Sequence, residues 1–185
     1  MAKGFILGFI VAIAAVAAGG YFLVTTGALP ARQDIKPSEL EEWAARTSLR
    51  ATIRREALGL KCPVQPTEEN LTAGLTLYEK NCQVCHGGSD GAASSIARGL
   101  APNPPQLAKD GVEDDPEGET YWKIAHGIRF TGMPAFRETL SEGEIWQIVL
   151  FTKHMNSLPS GIQQAWVAGK ASPEPISTID FSIAG

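Results

Sequence analysis

The chain has 185 residues, with 16 basic and 20 acidic side chains and a formal charge of −4, a length that holds one ordinary domain with appendages. With 44% hydrophobic and 19% charged residues it is too apolar for a disordered chain, and its acidic balance argues against nucleic acid, whose phosphates need a basic face. Three cysteines are too few for a disulfide-stapled scaffold, and their odd number leaves at least one outside any internal bridge.

The first predicted element is a membrane-spanning helix. Phe5 to Val24 is a run of twenty residues without a charge, and about 20 apolar residues cross a bilayer core as a helix. Tyr21 and Phe22 suit an interface, and Lys3 on the short leading side puts that end in the cytoplasm by the positive-inside preference. The rival reading is a cleaved secretory signal peptide. Its apolar stretch is ordinarily shorter, about 7–15 residues, and ends at a small-residue site; Ala28-Leu29-Pro30-Ala31 is a poor one because proline precedes the cut. Gly4, Gly8, Ala12, Ala15 and Gly19 line one helix face, which is either a groove for another membrane helix or the ordinary small-residue content of such segments.

Residues 28–66 read as a linker containing one helix. Ser38 is placed to cap it, Glu39, Glu41 and Glu42 suit its positive end, and the helix runs to about Leu58. Arg46, Arg50, Arg54 and Arg55 gather toward its other end. They are positioned to meet lipid headgroups or an acidic partner surface, or simply to suit the helix dipole. Charge is uneven along the chain: residues 31–61 carry a net +2 and residues 62–158 a net −6, so the two stretches face different surroundings. Cys62 beside Pro63 reads as a packing residue.

A helix is predicted from Thr67 through Leu71, Leu75 and Tyr78, at helical spacing. Then comes Cys82-Gln83-Val84-Cys85-His86. A C-x-x-C-H run reads as a c-type heme attachment site: two thiols one turn apart can bond one porphyrin, and the adjacent imidazole can reach its iron. A redox dithiol would accompany a βαβ pattern, and zinc would need a second ligand pair; the sequence has neither.

With this motif in place, residues 67–158 resemble the class I cytochrome c family along their length. The resemblance implies an all-α fold, a small cytochrome c domain around one covalently attached heme c. Gly74-x-x-x-Tyr78 resembles the family's glycine-to-aromatic spacing, at which the last helix crosses. That helix opens with the capping box Ser141-x-x-Glu144, and Ile145, Ile148, Val149 and Phe151 form its apolar side. Pro104-Pro105-Gln106-Leu107 resembles the family's proline–leucine segment; the carbonyl of one of the two prolines, Pro105 by that likeness or else Pro104, is then expected to accept from His86, and Leu107 to pack on the porphyrin. Tyr121 and Trp122, on a short helix before His126-Gly127, either wall the heme and bond its propionates or pack in the core. Thr131-Gly132-Met133-Pro134-Ala135-Phe136 resembles the methionine loop, which makes Met133 the expected second axial ligand with His86, ahead of His126 and His154. Such ligation raises the reduction potential.

Between Asp110 and Glu119 six of ten positions are acidic. The run reads as a loop that is solvated, docks a basic surface or, less simply, binds calcium without the EF-hand spacing. Beyond Ser157 no period persists, so residues 159–185 read as an extended tail and the predicted divisions are 1–27, 28–66, 67–158 and 159–185.

The expected protein is an electron carrier rather than an enzyme: a single-pass inner-membrane cytochrome with a cytoplasmic N-terminus and a periplasmic heme domain. Its expected partners are an integral membrane redox complex, with a quinol-oxidising complex as donor and a terminal oxidase or photosynthetic reaction centre as acceptor. The alternative is the heme subunit of a periplasmic oxidoreductase or a peroxidase-type enzyme, which would need Met133 to leave the iron.

Overall fold

The structure, a computed structural model, describes residues 2–28 and 31–169. Among them every regular element is helical. Contacts divide the chain into one unit up to Lys36 and a second from Pro37 onward.

In the first unit, α1 (Ala2–Thr25) is a 24-residue helix, about 36 Å long at 1.5 Å per residue. From Lys3 to Thr25 its mean hydropathy is 2.3 and none of it is buried. Such a helix fits a membrane anchor or a signal sequence.

The second unit is built from α2 (Glu39–Glu56), α3 (Glu68–Asn81), α4 (Gln83–His86), α5 (Ser95–Gly99), α6 (Glu117–His126), a single 3-10 turn (Phe136–Glu138), α7 (Glu142–Lys153) and α8 (Ser160–Ala168). Local signals start the long helices. The hydroxyls of Ser38, Thr67 and Ser141 each accept from a backbone N–H in the first turn of the helix that follows. At α7 the Glu144 side chain returns the bond, completing the capping box. Its carboxyl is held below the usual range chiefly by the Ser141 backbone N–H.

The centre is the crossing of α3 and α7. Gly74 permits it: a Cβ at that position would strike the Gln147 carbonyl and come within 2.9 Å of the Phe151 Cβ. Tyr78 and Phe151, both wholly buried, meet there at 5.2 Å between ring centroids. Close backbone approach lets the two helices exclude water across their apolar faces, with each large side chain contributing about 1.5–3 kcal/mol.

Two placements differ from the sequence reading. Residues 160–168, expected in an extended tail, form α8, which buries Ile162 and Trp166 against the α3–α7 core; the Trp166 and Phe151 rings meet edge to face at 5.4 Å. With two anchoring side chains in nine residues, that helix is held by tertiary packing and leaves little periodicity to read. Residues 170–185 lie outside the described residues. The acidic run, expected to be a loop throughout, places Glu117 and Glu119 in the first turn of α6, where the helix dipole favours them. Its Asp115 is tied down as well: Lys123 pairs with the carboxylate at 2.8 Å and Lys153 donates to the backbone carbonyl at 2.9 Å.

Candidate heme site

The site residues are delivered by short elements braced against the α3–α7 pair. Cys82 is the C-cap of α3, and α4 carries Cys85 and His86. Both thiols are free, as is Cys62. Burial, and then the neighbouring Cys85, push the Cys82 thiol up to about 12.

His86 is fixed by a lattice of hydrogen bonds. Its Nδ1 lies 2.9 Å from the Pro105 carbonyl, which makes Nδ1 the donor and leaves Nε2 with its lone pair free to ligate. Burial lowers the imidazole pKa, against the opposing pull of the Pro105 carbonyl. The Leu107 N–H donates to the His86 carbonyl at 3.1 Å, and the Gln106 amide donates to the Cys85 and Pro104 carbonyls at 3.0 and 3.1 Å. From the other side the buried Tyr78 hydroxyl donates to the Gly87 carbonyl at 2.8 Å. Of the two candidate prolines it is Pro105 that faces the histidine. Leu107 is buried in the cluster that holds Leu71, Leu75 and Tyr78.

Met133 sits in a turn between α6 and the 3-10 turn. The Thr131 hydroxyl accepts from its N–H at 3.1 Å and donates to the Ile128 carbonyl at 2.7 Å, while the Ile128 N–H donates to the Met133 carbonyl at 3.2 Å. Gly127, at φ +65°, lets this loop lie flat against the end of α6: a Cβ there would come within 2.7 Å of the Met133 carbonyl oxygen. Cys82 and Met133 border one apolar cluster, made of Ile124, Ala125, Ile145, Trp146, Ile148 and Val149.

The remaining sequence candidates make other contacts, with Tyr121 bordering the same apolar cluster as Cys82 and Met133. The Trp122 indole N–H donates to the Glu56 carboxylate at 3.0 Å and its ring packs on Ile53 and Ala57. That bond takes the only indole donor, so Trp122 serves the α2–α6 contact rather than a propionate. Tyr121 stacks on Trp146 at 4.3 Å. Both line a groove of about 640 Å³ between α2, α6 and α7 that Cys82, Cys85, His86 and Met133 do not border. His126 is exposed beside Trp122, His154 bonds its own helix's Leu150 carbonyl at 2.8 Å, and Met155 is a core residue. Cys62 is half-buried, its thiol donating to the Val64 carbonyl and pushed up by burial. Sequence reasoning missed the Tyr78 hydroxyl and the Gln106 amide as braces of the histidine segment; their partners, the Gly87 and Cys85 carbonyls, lie 9 and 21 residues away and leave no local pattern.

Residues 69–151 match the family described as cytochrome c oxidase, cbb3-type, subunit III. This segment is a class I-like c-type cytochrome domain. Such a domain carries covalently bound heme c and transfers electrons. Among solved structures, a chain of the Kuenenia stuttgartiensis reducing HAO-like protein complex Kustc0457/Kustc0458 is 26% identical with a TM-score of 0.44, over 51% of this chain and 46% of that one. Among curated proteins none matches.

The residues present fit a heme c. Two free thiols one turn apart, an imidazole whose Nδ1 is already engaged, and a thioether in a fixed turn over an apolar bed form a donor set suited to iron porphyrin. A redox disulfide uses neither the histidine bond nor the methionine turn, and a zinc site has no use for the methionine turn.

Proposed function

We propose that the chain is a membrane-anchored monoheme cytochrome that carries single electrons on the periplasmic side of the inner membrane, with its N-terminus in the cytoplasm. Cys82 and Cys85 hold the one heme by thioether bonds, and His86 Nε2 and Met133 Sδ ligate its iron. The observation that carries this is the His86 Nδ1–Pro105 bond within an intact C-x-x-C-H motif. A single-turn helix next to a cysteine pair has no need of such a bond unless Nε2 must be presented in one tautomer and one orientation.

When bound, the heme supplies a one-electron iron couple. The protein's own residues keep its surroundings fixed. Pro105 orients the imidazole, Leu107 and Ile148 lie in the buried clusters beside the attachment segment, and Thr131 sets the methionine turn. A heme held by both His86 and Met133 would keep no coordination site for a substrate, and the chain would then carry electrons rather than perform peroxidase-type chemistry. The apolar helix α1 supports retention at the membrane, where confinement raises the effective concentration of an integral redox partner. A quinol-oxidising complex is the donor. The acceptor is a terminal oxidase, as the name of the matching family favours, or a photosynthetic reaction centre.

The test is the heme-loaded protein and its Met133→Ala variant. One heme per chain resistant to acid acetone, a reduced form that ignores carbon monoxide, and a variant with a lowered midpoint potential that binds carbon monoxide are expected. A Met133→Ala protein with unchanged spectrum and potential would move the sixth ligand elsewhere.

A further inference from the structure

Helix α2 carries an exposed face that the heme domain does not use. One side of the helix buries Ile53 and half-buries Leu49 against Trp122. The other side leaves Leu40 and Trp43 72% and 64% exposed, and Thr47 and Ala51 continue the same exposed stripe at helical spacing. Arg50 and Arg54 fall at i+7 and i+11 from Trp43, on the same stripe two and three turns further along, and among the described residues neither has a carboxylate partner; Arg46 and Arg55 are paired with Glu42 and Glu56.

We infer that this face of α2 lies on an anionic bilayer surface, with Trp43 and Leu40 at the headgroup–acyl boundary and Arg50 and Arg54 on lipid phosphates. Two further features favour lipid over an acidic protein. The 13 residues between the end of α1 at Thr25 and the start of α2 at Glu39 reach at most about 45 Å when fully extended, so a membrane-held α1 keeps α2 near the surface continuously. The charge distribution is complementary: residues 31–61 are net +2, the excess lying in Arg32, Lys36 and Lys61 against Asp34 on either side of a charge-balanced α2, and residues 62–158 are net −6, so an anionic surface draws this segment down by its flanks and by the arginine-bearing end of α2 and turns the rest of the domain away. An amphipathic helix with tryptophan and, further along the same face, arginines is the chemistry that binds such an interface. The consequence is an oriented heme domain, held in one attitude to membrane partners. The inference rests on α1 being a retained anchor.

The experiment reconstitutes the full heme-loaded chain into vesicles of phosphatidylcholine alone or with phosphatidylglycerol, each containing brominated lipid, and compares tryptophan quenching in the wild type and in Trp43→Phe. Quenching that appears with phosphatidylglycerol, is absent in Trp43→Phe, and falls by about half or more in Arg50→Gln/Arg54→Gln or on raising the salt is expected. Equal quenching in the wild type and Trp43→Phe, or no dependence on phosphatidylglycerol, overturns the inference. So does a Trp43 that lipid leaves unquenched but that native membranes shield from aqueous acrylamide, which would indicate a protein partner. Alkaline carbonate extraction reports separately on α1: release of the chain from membranes refutes the anchor, and co-sedimentation of the released chain with added anionic vesicles still decides the fate of α2.

Discussion

The two residues proposed to ligate the iron are held in opposite ways. His86 is braced from a distance: Tyr78 comes from α3, and Pro105, Gln106 and Leu107 come from a segment about 20 residues further on. Met133 is braced locally, by Thr131 and Ile128 within five residues of it. Bonds from the packed core break only when the core opens, whereas a self-bonded turn can open alone at a smaller free energy. The histidine side therefore belongs to global stability and the methionine side to local stability. Variants on the two sides separate these quantities.

The largest effect is expected on the histidine side. Tyr78 is wholly buried and burial keeps its hydroxyl protonated, so Tyr78→Phe leaves the Gly87 carbonyl without its donor in a dry place. Global stability should fall by about 2 kcal/mol, read as a lower urea midpoint at unchanged slope, while the reduced protein stays closed to carbon monoxide. If carbon monoxide binds readily, the hydroxyl acts on the axial ligands and the two sides are not independent.

The complementary variant is Thr131→Val, which removes both hydroxyl bonds of the methionine turn. The urea midpoint should move by the equivalent of about 1 kcal/mol or less, yet carbon monoxide should now enter, because the local opening is what the hydroxyl opposes. A large global loss with the iron still closed would reverse the assignment of the two sides.

The same division explains what could be read from the chain. Starts of α2 and α7 were visible because Ser38 and Ser141 act on N–H groups three residues away, and that of α3 because Leu71, Leu75 and Tyr78 repeat at helical spacing. The crossing was visible because a glycine and an aromatic on α3 meet a periodic apolar face on α7. On the methionine side, Thr131 and Gly132 stand next to the residue they serve. Of the braces of His86, the Pro105 carbonyl was reached through the family likeness, but the Tyr78 hydroxyl and the Gln106 amide were not visible, and neither was the use of Trp122, whose carboxylate partner lies 66 residues earlier; a polar side chain carries no mark of a partner that only folding brings near. Helix α8 failed for the related reason that its two anchors, Ile162 and Trp166, are meaningful only against Phe151.

The smallest expected effect tests how firmly the methionine side is held in its turn. Phe130, three residues before Met133, has φ +61° and is 93% exposed, with the Arg129 guanidinium 6.0 Å from its ring centroid. An L residue in the left-handed region costs about 1–2 kcal/mol, and here little packing offsets it. Phe130→Gly removes that cost but loosens the unfolded chain, so its stability against the wild type mixes two terms. Phe130→Ala keeps a Cβ and the cost. The conformational relief is isolated in the difference between the variants, with glycine ahead by about 0.5–1 kcal/mol because the relief exceeds its extra unfolded-state entropy. Since the turn is local, the glycine variant should also hold carbon monoxide out at least as well as the alanine one. Equal stability would mean that the turn relaxes around Phe130 rather than constraining it, and the rigidity attributed to the methionine side would then reside in Thr131 and Gly127 alone.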